Sequence, residues 1–131
     1  MPEPSHILIV DDDDDGRSFV KELLERDGYV VSEARDGRAA LELLTSAPEP
    51  SLVILDLEMP VMSGTELLAA MKERERLARL PVLIVSGSGK QAIPLAEPVV
   101  GFLPKPIELD VLVGKVKACI ADRDRRHAPD V

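Results

Sequence analysis

The sequence has no tryptophan, one tyrosine and two phenylalanines. Phe19, Tyr29 and Phe102 are too few to provide stacking platforms for nucleic-acid bases. The single cysteine, Cys119, excludes an internal disulfide and a cysteine-rich zinc site. Positive charge is scarce as well: 16 Lys and Arg stand against 24 Asp and Glu, for a net charge of −8. A nucleic-acid groove needs a basic footprint, so the expected partners exclude nucleic acid. No apolar run reaches the length of a membrane span, and no basic segment opens the N-terminus. The expectation is a soluble cytoplasmic protein with no membrane contact. What is present favours a folded core: 45% of the 131 residues are apolar, enough for one domain.

Five short apolar runs recur, at Ile7–Val10, Tyr29–Val31, Leu52–Leu55, Val82–Val85 and Val99–Leu103. Most are rich in Val and Ile, and unbroken apolar runs suit strands covered on both faces. Helical patterns lie between them. Phe19, Val20, Leu23 and Leu24 share a face, as do Ala40, Leu43 and Leu44, then Leu67, Leu68 and Met71. Leu109, Leu112, Val113, Val116 and Ile120 repeat at the same spacing near the C-terminus. Asp36-Gly37 opens the second helix, and Ser63 with Glu66 forms a capping box for the third. The fourth is weak, because Lys90–Glu97 contains Pro94 and is followed by Pro98. The pattern is β-α repeated five times, which predicts a parallel sheet with helices on both faces and a shortened or irregular fourth helix.

Ligands of open parallel sheets bind beyond the carboxyl ends of the strands. Asp11 and Asp12 follow Val10, Asp56 follows Leu55, Ser86 follows Val85, and Lys105 follows Leu103-Pro104. Four strands therefore bring three carboxylates, a hydroxyl and an ammonium to one edge. Singly, Asp56 reads as a turn residue or helix cap and Lys105 as a surface lysine. Asp14 and Asp15 read as solvated acids favoured by the dipole of the first helix. Three clustered carboxylates repel unless a proton or a cation joins them, and hard oxygen ligands with room for water suit Mg²⁺. A carboxylate beside a cation and a lysine can attack a phosphoryl group.

All of these strand-end residues but Ser86 fall in three motif stretches: Ile7-Leu8-Ile9-Val10-Asp11-Asp12, Val53-Ile54-Leu55-Asp56-Leu57-Glu58-Met59-Pro60-Val61-Met62-Ser63-Gly64, and Phe102-Leu103-Pro104-Lys105-Pro106. The chain resembles the receiver domain of two-component response regulators from about Ile7 to Ile120. The resemblance implies a flavodoxin-like (βα)5 doubly wound sheet in the order 2-1-3-4-5. It implies Asp56 as phosphoacceptor and Mg²⁺ (or Mn²⁺) held by Asp11, Asp12, Asp56 and the Glu58 backbone carbonyl. Strand-end placement favours Asp11-Asp12 as the acid pair over Asp12-Asp13. Lys105 takes the place of the phosphate-pairing lysine, Ser86 that of the hydroxyl that swings toward the phosphoryl group, and Phe102 that of the aromatic switch residue. Phe102 reads equally as a core aromatic on a strand. Lys105-Pro106 takes the place of a cis peptide.

The implied partners are a histidine kinase or histidine phosphotransfer protein and a downstream protein target, with the domain a monomer or weak homodimer. The implied activity is its own phosphorylation from a phosphodonor and its own slow dephosphorylation. Two departures qualify this. The Ser86–Lys105 span is shorter than in most receivers and carries Pro94 and Pro98 ahead of its last apolar run, which bears on signal output. That motivates a second reading, a docking module independent of phosphorylation; a third is a phosphate sink, with Glu58 and Ser88 flanking the acceptor. The expected organisation is a lead-in over 1–6, the receiver over 7–121 and a flexible tail over 122–131. So short a tail fits a single-domain regulator or one domain of a longer kinase or regulator.

Other motifs fail on inspection. Ser86-Gly87-Ser88-Gly89-Lys90 lacks the first glycine and the final hydroxyl of a phosphate loop, having Ile84 and Gln91 there. Neither Ser86 nor Ser88 has the flanking glycines of a nucleophile elbow. His6 and His127 lie at the chain ends, outside any helical hairpin. Cys119 sits beside the apolar face of the last helix and reads as a buried structural thiol.

Overall fold

The apolar runs form the strands of one parallel sheet in the computed structural model, which describes residues 4–46, 48–87 and 98–126. In chain order the elements are β1 (His6–Val10), α1 (Asp14–Arg26), β2 (Val30–Ala34), α2 (Gly37–Ser46), β3 (Leu52–Asp56), α3 (Gly64–Lys72), β4 (Val82–Ser86), β5 (Val99–Pro104) and α4 (Leu109–Arg126). A turn of 3₁₀ helix, Leu77–Arg79, leads into β4. The strands are all parallel, in the order β2-β1-β3-β4-β5. This is the doubly wound order implied by the sequence.

Alternation along each strand divides the core into two layers. Leu8, Val10, Val53, Leu55 and Ile84 face Ala40 and Leu44 of α2 and Leu67, Leu68 and Met71 of α3. Ile7, Ile9, Leu52, Ile54 and Leu83 face Val20 and Leu24 of α1 and Leu112, Val116 and Ile120 of α4. Each of these Val, Leu, Ile and Met side chains adds about 1.5–3 kcal/mol of apolar burial before entropy is counted. The three central strands, β1, β3 and β4, therefore have to be apolar on both sides. The edge strand β2 does not, and this shifts its position. The apolar run at Tyr29–Val31 predicts the strand there, but hydrogen bonding to β1 carries it through Ser32 and Glu33 to Ala34.

Phe19 departs from the expected apolar face. Val20 and Leu24 form the covered stripe of α1, and Phe19, about 100° round the helix from Val20, is 55% exposed. Leu109, expected in the stripe of the last helix, is also exposed, while Cys119 is buried there. That helix, α4, runs to Arg126, so residues 122–126 of the expected tail are helical. An Asp122–Arg125 pair of 3.5 Å one turn apart accompanies the extension. The irregular helix expected over 90–97 and the end of the tail, 127–131, lie outside the described residues.

Local chemistry sets the helix starts as the sequence indicates. The Asp36 carboxylate accepts from the Ala39 N–H at 2.8 Å. Ser63 and Glu66 close a reciprocal capping box with two bonds of 3.1 Å. Gly64 is required by close approach: a Cβ there would lie 2.6 Å from the Asp56 carbonyl oxygen and 2.7 Å from Leu57 Cα. The start of α3 is thus pressed against the end of β3. The connecting loop turns tightly, with the Met62 N–H donating to the Pro60 carbonyl at 2.7 Å around Val61 at φ 68°. Positive φ is costly for a β-branched residue, and Val61 is exposed rather than packed.

Candidate functional site

The parallel register sets the strand ends level. Val10 pairs with Leu55, Asp56 with Val85 and Ser86 with Pro104. The residues that follow β1, end β3 and β4, and follow β5 therefore meet at the carboxyl edge of the sheet.

Asp56 is buried at 5% exposure. Its Oδ1 accepts from the Glu58 N–H at 3.1 Å and its Oδ2 from Lys105 Nζ at 3.2 Å. Lys105 Nζ also donates to Asp11 Oδ2 at 3.3 Å, so one ammonium bridges two carboxylates from different strands. The Lys105 N–H donates to the Ser86 carbonyl at 3.0 Å, which extends the β4–β5 ladder by one bond and carries the lysine to the site. The Lys105–Pro106 peptide is cis, in agreement with the resemblance.

Asp11 is fixed through its main chain and its side chain. Its N–H donates to the Ala34 carbonyl at 3.1 Å, continuing the β1–β2 ladder. Its Oδ1 accepts from the Asp13 N–H at 3.0 Å, folding the loop back on itself. Asp12 is exposed. One carboxylate oxygen each from Asp11, Asp12 and Asp56 lies within 4.8 Å of the others. Of the two acid pairs open in the sequence, Asp11-Asp12 is the one that joins Asp56 in this cluster. Hard oxygens this close, with a single lysine among them, suit a divalent cation.

Ser86 is fully buried, and its hydroxyl donates to Glu58 Oε1 at 3.4 Å. Glu58 thus meets the site twice, through its N–H on Asp56 and its carboxylate on Ser86. Phe102 is half-buried on β5, opposite Ile84, against the α2–α3 layer of the core. Ser88 lies outside the described residues.

Burial pushes the Asp56 carboxyl above its ordinary value, against the opposing pull of the Glu58 N–H and Lys105. For Lys105 burial acts downward, but Asp11 and Asp56 outweigh it and hold the ammonium above its ordinary value.

Arg17 also reaches this edge and was not singled out from the sequence. Its Nη1 donates to the Asp11 carbonyl at 2.7 Å, its Nη2 to Asp14 Oδ1 at 2.7 Å and its Nε to Glu33 Oε1 at 3.2 Å. Asp14 is therefore more than a dipole acid. The i,i+3 spacing of Asp14 and Arg17 was the available signal. Beside Asp11 and Lys105 an open groove of about 340 Å³ is flanked by the exposed Phe19 and Leu109.

The response regulator receiver domain family matches residues 7–117. The chain belongs to the response regulator receiver family. This receiver is 39% identical over 118 residues to the sensor histidine kinase TmoS of Ectopseudomonas mendocina, a match covering 88% of the chain and 12% of the kinase. It is 39% identical over 106 residues to the two-component response regulator ORR5 of Oryza sativa subsp. japonica, covering 79% of each. Among solved structures, the signal receiver domain of a histidine kinase from Syntrophus aciditrophicus superposes with a TM-score of 0.81 at 28% identity, covering 97% of this chain and 98% of that one. Receiver domains work with histidine kinases and downstream effectors in two-component systems, and they generally bind Mg²⁺ at an acidic pocket. The Asp11, Asp12 and Asp56 oxygens form an acidic pocket in this receiver. No helix among the described residues is long and apolar enough to cross a membrane.

Proposed function

We propose that this receiver accepts a phosphoryl group from a partner's phosphohistidine onto Asp56, changes conformation to regulate a downstream protein, and slowly removes the group itself. The observation that carries the reading is the buried Asp56 carboxylate, clustered with Asp11 and Asp12 and bridged to Asp11 by Lys105. The carboxylates of Asp11, Asp12 and Asp56 and the Glu58 carbonyl would hold Mg²⁺ or Mn²⁺, which supplies charge neutralisation at the phosphoryl oxygens.

In the transfer, an Asp56 oxygen forms a bond to phosphorus as the phosphorus–nitrogen bond of the donor breaks. The bonding pair stays on the imidazole nitrogen, which takes a proton from solvent. Lys105 pairs with the transferred group as a point charge. Ser86 exchanges its contact with Glu58 for a phosphoryl oxygen, and Phe102 follows the shift of the β4–β5 segment. Hydrolysis by water releases inorganic phosphate and restores the carboxylate. Net charge −8 suits basic protein surfaces as partners rather than nucleic acid. The domain acts in the cytoplasm, as a monomer or weak homodimer.

Intact mass after incubation with Mg²⁺ and acetyl phosphate tests this directly. The expected result is one phosphoryl group on wild type, none on Asp56→Asn and none with chelator. Stoichiometric labelling of Asp56→Asn would overturn the acceptor assignment. No labelling of wild type, together with no binding of beryllofluoride, would favour the phosphorylation-independent docking module.

A further inference from the structure

The chain leaves the sheet at Asp11. Its N–H makes the last β1–β2 ladder bond, to Ala34, and its carbonyl has no strand to bond. That carbonyl lies in the same peptide plane as the Asp12 N and Cα, so holding it fixes the point from which the Asp12 side chain departs. Among the described residues it is held by one group, Arg17 Nη1, at 2.7 Å. The Arg17 side chain is 12% exposed, and its guanidinium is anchored at two further points, Glu33 on β2 and Asp14 in the first turn of α1. Asp12, by contrast, has no hydrogen-bond or ion-pair partner of its own among the described residues. Nothing on the Asp12 side chain orients it, so its placement near Asp56 comes from the main chain behind it.

We propose that Arg17 is a positioning residue for the cation: through the Asp11 carbonyl it aims the Asp12 carboxylate at the Asp11–Asp56 pair. The planar fork suits this task, because three donors at fixed angles tie β1, β2 and α1 to one another. A lysine could satisfy the charge of Glu33 or the Asp11 carbonyl, but not both with the same geometry. The inference rests on the proposed reading of the acid cluster as a divalent-cation site.

The test is the Mg²⁺ dissociation constant by calorimetry, with Tm in EDTA measured on the same samples. Arg17→Met is expected to weaken Mg²⁺ binding about tenfold, the low end for partners that orient metal ligands, and Arg17→Lys about threefold. Lys21→Met removes the other cation near Glu33, at 3.5 Å, and leaves Asp11 untouched. It is expected to bind Mg²⁺ within about twofold of wild type. Should Arg17→Met fail to fold, Arg17→Lys against Lys21→Met carries the comparison. Unchanged Mg²⁺ affinity in the Arg17 variants with a lowered Tm would overturn the proposal and leave Arg17 a structural brace. Failure of wild type to bind Mg²⁺ would overturn the cation site itself, and the proposal with it.

Discussion

Asp56 carries its charge where charge is disfavoured. Burial raises its pKa, and the Glu58 N–H and Lys105 only partly offset that cost. A carboxyl whose folded pKa lies above its unfolded value contributes stability while protonated. That contribution is complete below the ordinary value of 3.8 and is lost as pH rises through the folded pKa. At neutral pH without divalent cation, ionised Asp56 therefore weakens the fold. Asp56→Asn keeps the shape and removes the charge. It is expected to be more stable than wild type in EDTA at neutral pH, by a gap read directly as a higher Tm. The gap should close as pH falls toward 3.8, where wild type also becomes neutral at this position. Thermal unfolding of both proteins along that range is the measurement. A constant gap would mean that something other than Asp56 ionisation separates them.

The elements around Asp56 explain how a strained carboxylate stays in place. Gly64, first residue of α3, sits against the Asp56 carbonyl and Leu57 Cα, and its N–H donates to the Leu57 carbonyl at 3.0 Å. Both contacts are backbone, so a methyl group there cannot be relieved by a side-chain rotation. Gly64→Ala is expected to destabilise by about 2 kcal/mol, within the range for overpacking. On the proposed function it should also slow acetyl-phosphate labelling, because α3 presses on the end of β3 that carries Asp56. Chemical denaturation and a labelling time course check the two effects; a stable, normally labelled variant would show that α3 can move without cost. The sequence announced this element through Ser63, Glu66 and Gly64 because capping is local chemistry. It announced the central strands because they are covered on both faces and need unbroken apolar runs. It misplaced β2, whose polar Ser32 and Glu33 are tolerated at an edge, and it put Phe19 on the covered face of α1. Helical spacing marks an apolar stripe but not its limits. The meeting of Arg17 with Glu33 was not legible for a related reason, since it depends on how α1 packs beside β2, a tertiary fact.

At the scale of the molecule, exposed apolar side chains gather beside the acidic edge. Phe19 from α1 and Leu109 from the start of α4 flank the open groove next to Asp11 and Lys105, with Pro106 and Ile107 between them. Two elements far apart in sequence thus border the groove beside Asp11 and Lys105. A small phosphodonor needs only the site, whereas a phosphohistidine arrives on a protein surface that must dock before its phosphorus comes into line. Large apolar side chains exposed at such a border are where docking energy concentrates. Phe19→Asp should therefore separate the two donors. Labelling by acetyl phosphate is expected to stay within about twofold of wild type, because no site contact is removed. Transfer from whichever phosphorylated histidine phosphotransfer protein labels wild type fastest is expected to fall about tenfold, the loss of one aromatic contact plus an added charge. Equal loss with both donors would place the defect in the acidic pocket rather than in docking. Undiminished transfer from the protein donor would mean that the partner approaches Asp56 across another face, and that the exposure of Phe19 has no part in recognition.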